Sequence, residues 1–147
     1  MRDSNVRRMS YWRVTSWTVE NIRVALNAGV WGEERPTALA HLRESDRLVF
    51  YSTDSRKKGF WATGTVMGPM YVAHDPVWHT GFYPFRIPLR VDVGPAQKPI
   101  QPKAVFEILG VTRLSHSAPR KAIIPLTAKE FQTIEALIRQ GPQKANA

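Results

Sequence analysis

Cysteine is absent from all 147 residues. That excludes a disulfide framework, a thiolate metal site and a cysteine nucleophile. No run approaches the roughly 20 apolar residues that span a bilayer. The first residues lack the apolar stretch of a signal peptide, so the default expectation is a cytoplasmic protein. The glycines never take phosphate-loop or dinucleotide spacing. Acidic residues are sparse and far apart, which speaks against a two-carboxylate hydrolase. No serine sits in a nucleophile elbow. Of the four histidines, His41, His74, His79 and His116, only His74 and His79 lie close together, beside Asp75. No third ligand stands at a convincing spacing, so no metal is expected. These absences predict no enzyme and no cofactor.

What is abundant is positive charge and aromatic surface. Lys and Arg number 21 against 12 Asp and Glu, a formal net charge of +9. Such an excess on a small domain suits a polyanionic partner, RNA or DNA, and equally a basic solvated surface. The cations are scattered over Arg7 and Arg8, Arg56 to Lys58, Arg86 and Arg90, and Arg120 and Lys121. Only folding can gather them. The 5 Trp, 4 Tyr and 6 Phe include several in loops and at strand ends. Aromatics in such places serve to stack a planar ligand or an extruded base. For any single one, core packing is the simpler role. Trp12 and Trp61 fit alternation within strands; Trp31 and Trp78 do not.

One domain is predicted over residues 10–140, with a basic arm at 1–9 and a frayed tail at 141–147. "SYWRVTS" has strand composition. "TVENIRVALNAGV" places Val19, Ile22 and Leu26 on one helical stripe. Thr18 suits its N-cap, Trp17 and Ile22 a hydrophobic staple, and Gly29 its left-handed end. Trp31 then sits just past that helix, at its junction with a loop. "RPTALAHL" suits a short helical piece. "DRLVFYST" and "FWATGTVMG" read as a hairpin, with Gly64 marking a bulge or a close backbone approach. "PMYVAHDPVWHTGFYP" reads as loop. "FRIPLRVDV" is a strand in which Pro88 calls for an edge or a bulge. "KAVFEILG" suits a short helix and "KAIIPL" a strand. In "LTAKEF", Thr127 and Glu130 form a capping-box pattern with Leu126 and Phe131 as staple, opening a helix striped by Phe131, Ile134 and Ile138. The connections are too short for repeated crossover helices. The fold class is therefore α+β, a curled, mostly antiparallel sheet with short flanking helices.

The stretch from "YWRVTSW" through "VWG", "RESDRLVFY" and "GFWATGTV", with "FYPFRIPLRV" and "IPLTAKEFQTIEALI" after it, resembles the EVE domain. More distantly it is similar to YTH domains of the PUA-like superfamily. The likeness runs from about Tyr11 to Ile138. It implies a PUA-like β-barrel flanked by helices, in a protein that reads nucleic acid. Several such domains accept a modified base flipped into an aromatic pocket. The resemblance makes Trp31 one wall, with Ser16 and Asn21 touching the base. A second tryptophan wall in YTH relatives stands roughly where this chain has Pro88. Gly32 likewise replaces a small polar residue. Trp78, Tyr83 or Phe85 is left to supply the opposite wall, and Tyr51 joins the expected lining. Arg13, Arg35, Arg56, Lys57 and Lys58 are the expected phosphate contacts. EVE relatives have been linked to modified cytosine in DNA, and to RNA. A second function fits the same pocket: a sensor for a free nucleoside or another planar metabolite.

Overall fold

The computed structural model describes residues 9–115 and 122–141. The predicted arm up to residue 8, with Arg7 and Arg8, lies outside the described residues. So do His116, Arg120, Lys121 and the tail from residue 142. Seven strands form one sheet: β1 (Tyr11–Ser16), β2 (Val30–Glu33), β3 (Arg47–Ser52), β4 (Gly59–Val66), β5 (Tyr71–Val72), β6 (Phe85–Val93) and β7 (Ile123–Leu126). Three helices flank it: α1 (Val19–Ala28), α2 (Pro102–Leu109) and α3 (Ala128–Gln140). The sheet runs β2-β6-β4-β3-β1-β7, with β5 added to β6. It curls into a half-barrel. It is mostly antiparallel, as expected, and β1 against β3 is a parallel pair.

Side chains alternate between the two faces of a strand, and here each face has its own core. Leu48 and Phe50 of β3 pack toward α1, together with Val14, Ile22, Trp31 and Trp78. Val49 and Tyr51 pack toward α2 and α3, together with Val105, Phe131 and Ile134. All eight residues of β4 are buried. This two-sided cover explains why β3 and β4 read as continuous apolar runs rather than alternating ones.

Most local signals hold. Thr18 Oγ1 accepts the Asn21 amide, and Gly29 ends α1 at φ 70°. The register of β4 against β6 shifts between Thr63 and Gly64, and a Cβ on Gly64 would lie 2.8 Å from the Arg90 carbonyl oxygen. Pro88 stands where one edge of β6 passes from β4, paired to Leu89, to β5, paired to Arg86. Its missing N–H falls in that gap. Three expectations fail. Trp31 lies in strand β2, in register with Ile87, not at a junction with a loop. Strand β5 interrupts the predicted loop. Trp17 closes no staple, being 75% exposed while Ile22 is fully buried. The short helical piece expected in "RPTALAHL" is a 3-10 turn that starts at Pro36, Pro36–Ala38.

Helix α3 carries the expected capping box. Thr127 Oγ1 accepts the Glu130 amide at 3.1 Å, and Glu130 Oε1 accepts the Thr127 amide at 2.8 Å. Glu130 Oε2 also accepts the Ser115 amide at 2.7 Å. Burial alone would raise this carboxyl, but the hydrogen bonds from Thr127 and Ser115 hold it below its ordinary value. A depressed folded pKa contributes stability above the unfolded value and loses it as pH falls through the folded one. Urea unfolding at stepped pH should show that loss in the acid range, and Glu130→Gln should flatten it. Thr127→Ala should cost about 1 kcal/mol at neutral pH. Unaltered acid sensitivity in Glu130→Gln would remove the carboxylate from this account.

Candidate functional site

A cavity of about 300 Å³ opens where β1 ends, α1 begins, β2 passes and the β5–β6 loop folds over. Ser16 closes β1, and its hydroxyl is occupied locally. It donates to the Thr18 carbonyl at 2.8 Å and accepts the Thr18 amide at 3.3 Å. Trp31 is 5% exposed, its ring 5.6 Å from Phe50 and 6.4 Å from Trp78 between centroids. Its indole N–H donates to Glu33 Oε2 at 2.6 Å. Trp31 is therefore both core and wall: its bulk packs inward and its rim lines the cavity.

The far side comes from the loop between β5 and β6, which Arg86 holds in place. Arg86 on β6 is 1% exposed. Its guanidinium donates to Asp75 Oδ1 at 2.7 Å and to the carbonyls of Asp75, Phe82 and Tyr83. It also lies 5.6 Å over the Trp78 ring. Trp78 in turn donates its indole N–H to the Asn21 carbonyl at 3.1 Å. Tyr83, at φ 45°, sets its ring edge-on to Trp78 at 5.5 Å. Gly32 permits this closure, because a Cβ there would lie 2.8 Å from both the Trp78 ring and the Tyr83 carbonyl oxygen.

The polar groups follow from the same framework. Thr80 Oγ1 donates to Asn21 Oδ1 at 3.1 Å, so across the 2.9 Å Thr80–Tyr83 contact the phenol is the donor. A hydroxyl has one proton to give. Asn21 Nδ2 has no partner among the described residues and remains a free donor in the cavity. The Glu33 carboxyl, which lines the same cavity, is an acceptor. Burial pushes the Glu33 pKa up; the Trp31 hydrogen bond offsets part of this, and Glu34 adds to it. The cavity thus offers flat aromatic walls, one amide donor and one carboxyl.

The structure gathers Trp31, Ser16, Asn21, Trp78 and Tyr83 around one cavity. It does not bring Tyr51 there. Tyr51 points to the opposite face of β3, 4.9 Å from Phe60 and beneath the Arg13 guanidinium at 5.2 Å. Arg13 shares that face, one residue out of phase with Val14. Burial lowers its pKa while Tyr51 raises it. Arg13 Nε donates to Thr15 Oγ1 at 3.1 Å, and Arg13 itself does not line the cavity. Phe85 packs half-buried against the core and lines no part of the cavity. Pro88 pairs with Val30 and is not at the wall. Arg35 stands at an adjoining cavity. Arg56, Lys57 and Lys58 are exposed on the β3–β4 turn, beyond Thr53 at the cavity edge. His74 and His79 are exposed, and among the described residues no group of three or more His, Asp or Glu is placed to hold a metal. Nor is any described helix long and apolar enough to cross a membrane. Trp17, Glu33 and Thr80 carry no local sequence signal that marks them for the cavity. Glu33 was findable only by recognising β2, where positions two apart share a face.

Comparison with known proteins agrees with this architecture. The model of the EVE domain family matches residues 10–137. A UPF0310 protein of Pyrococcus abyssi is 27% identical over 144 residues, covering 88% of this chain and 100% of the relative. Among solved structures, the YTH domain of Zygosaccharomyces rouxii MRB1 protein, in complex with N6-methyladenosine RNA, superposes with a TM-score of 0.65 at 11% identity. That match covers 92% of this chain and 90% of the other. Human THYN1, in complex with DNA containing 5-methylcytosine, gives a TM-score of 0.60 at 15% identity over 90% of this chain and 99% of the other. At such identities the structures show the shared fold, the PUA-like half-barrel.

Two outcomes follow from the cavity's construction. Gly32→Ser should displace Trp78 and destabilise the fold by about 1–3 kcal/mol, as overpacking does. Near-ultraviolet circular dichroism of the tryptophans should change; an unchanged spectrum would mean that Trp78 does not pack on Gly32. Glu33 gives a pH signature opposite to that of Glu130. A raised folded pKa contributes stability below the unfolded value and loses it as pH rises through the folded one. Glu33→Gln should therefore melt above the wild type at pH 7, with the gap closing toward pH 4.

Proposed function

The chain belongs to the EVE domain family, and on that premise we propose that it is a nucleic-acid-binding module whose cavity takes a single base, modified and flipped out of its stack. The observation that carries this reading is the pairing of Trp31 with two polar groups of opposite sense, Asn21 Nδ2 and Glu33, inside one small aromatic cavity. Stacking holds any base by its π-face and carries little selectivity. Hydrogen bonding to the base edge supplies it. A donor and a carboxyl acceptor in one cavity suit an edge bearing a ring acceptor and an exocyclic amino group, as adenine and cytosine do. The names of two fold relatives support a methylated base: one holds N6-methyladenosine RNA, the other DNA with 5-methylcytosine. We read the module as one that binds its base, with Trp31, Asn21 and Glu33 as binding groups. Arg35 and the exposed turn of Arg56, Lys57 and Lys58 supply phosphate contacts.

The cavity rim also favours a second reading. Arg13 is turned away and Arg86 is consumed within the fold, while Glu33 and Glu34 lie beside the opening. A free nucleoside meets no penalty from those carboxylates. Salt separates the two. Phosphate contacts give an affinity that falls steeply and linearly on a log–log salt plot. A nucleoside sensor is nearly indifferent to salt and to strand length.

The test uses Trp31→Phe rather than alanine, because emptying a core tryptophan site costs about 3–5 kcal/mol. Fluorescence anisotropy with seven-nucleotide strands, modified or plain at the centre, should show Trp31→Phe weakening binding several-fold with the salt slope unchanged. Equal affinity for modified and plain strands in the wild type would sink the modified-base reading. Unchanged binding by a folded Trp31→Phe protein would remove Trp31 from the wall.

A further inference from the structure

Four of the five tryptophans are accounted for by the fold. Trp12 donates its indole N–H to Asp46, Trp31 to Glu33, Trp61 to the Lys57 carbonyl and Trp78 to the Asn21 carbonyl. Trp17 differs on every count. It is 75% exposed, its indole N–H has no partner among the described residues, and its ring packs on no other aromatic there. Yet its backbone is held. It stands between Ser16 and Thr18, which are tied to each other by two hydrogen bonds, and Thr18 caps α1. Single exposed apolar side chains are common; Trp17 stands apart because its backbone is held and its ring borders two cavities.

Its position supplies a role. A second cavity of about 630 Å³ adjoins the first, and the two share Trp17, Glu33, Tyr83 and Ala122. The second cavity has a flat surface of its own, where the Trp12 and His41 rings lie 12° from parallel with centroids 6.3 Å apart. Arg35 is the one Lys or Arg lining either cavity among the described residues. Trp17 is thus a ridge between two aromatic chambers, with a cation at the edge of one.

We propose that the second chamber takes the nucleobase adjacent to the flipped one, stacked on Trp17, so that the module engages two consecutive nucleotides. This rests on the base-pocket reading above. Flipping one base strips its neighbour of a stacking partner, and Trp17 replaces that partner. Arg35 meets the phosphate nearby, and the Glu33 and Glu34 carboxylates keep the phosphate on the Arg35 side of the opening. Two bases joined by one phosphodiester straddle the ridge, and only one of the two neighbours of the flipped base does so.

Seven-nucleotide DNA and RNA strands test this. The central residue is 5-methylcytosine, N6-methyladenine or an unmodified base, and the tightest binder is then remade with an abasic residue at the centre, at the 5′ neighbour or at the 3′ neighbour. The abasic strands keep every phosphate. One neighbour position, and not the other, should lose roughly 5- to 150-fold in affinity, the value of one aromatic–base stack. In Trp17→Leu, at an exposed site where folding is not at stake, that neighbour-abasic strand should bind as the intact strand does. The proposal is overturned if both neighbour-abasic strands match the intact one in the wild type, or if Trp17→Leu keeps the full neighbour effect. A centre-abasic strand that binds as tightly as the intact strand overturns the base-pocket reading instead. Absence of binding by every strand overturns both.

Discussion

Arg86 brings a full positive charge to a place where it is 1% exposed. A buried guanidinium is tolerable only when its donors are met, and removing its partners typically costs about 3–5 kcal/mol. Here three carbonyls and the Asp75 carboxylate meet them, and all belong to the loop between β5 and β6. The charge and the loop therefore require each other. The loop brings Trp78 and Tyr83 over α1 and β2, and their hydrogen bonds to Asn21 and Thr80 orient the groups that face the cavity. Without Arg86 the cavity would have Trp31 and no opposite side.

The sheet imposes the second constraint. Its two faces carry separate cores, so neighbouring residues on one strand serve different purposes. On β1, Ser16 belongs to the cavity side, while Arg13 crosses to the α3 side and covers Tyr51. On β3, Phe50 backs Trp31 while Tyr51 packs on Phe60. A shift of one residue reverses the assignment. The same partition explains the modest positive charge at the cavity. Arg47 is spent on Asp92 and Glu135, Arg86 on Asp75, and Arg90 on Asp92. Arg35 is the one Lys or Arg lining either cavity among the described residues, so the cations behind the net charge of +9 lie mostly elsewhere.

Elements with their own local chemistry were legible. The caps of α1 and α3, the β3–β4 hairpin and the irregularity at Gly64 each depend on residues within a few positions or on a simple periodicity. Strand β2 was not legible. Its four residues follow a helix terminator directly and have no turn signal before them, and they extend only because β6 pairs with them. Trp17 departs from the expected staple for the same kind of reason. Its place before Thr18 suits a staple, but the cavity side of α1 leaves it outside the core.

For this protein, the order of residues alone determined the fold class, the caps of α1 and α3 and the absence of thiol chemistry, and family likeness pointed to Trp31, Ser16 and Asn21, which the fold brings to one cavity. Tertiary structure decided what surrounds Trp31. Trp78 and Tyr83 reach it from about fifty residues away, and Glu33 reaches it only because β2 is extended. Tyr51 and Arg13, within β3 and β1 themselves, pack on the face away from Trp31. Hydrophobic periodicity and capping are short-range and survive in one dimension. Which face a residue shows and which loop folds over it depend on strand pairing and on one buried charge, and both exist only once the chain has closed on itself.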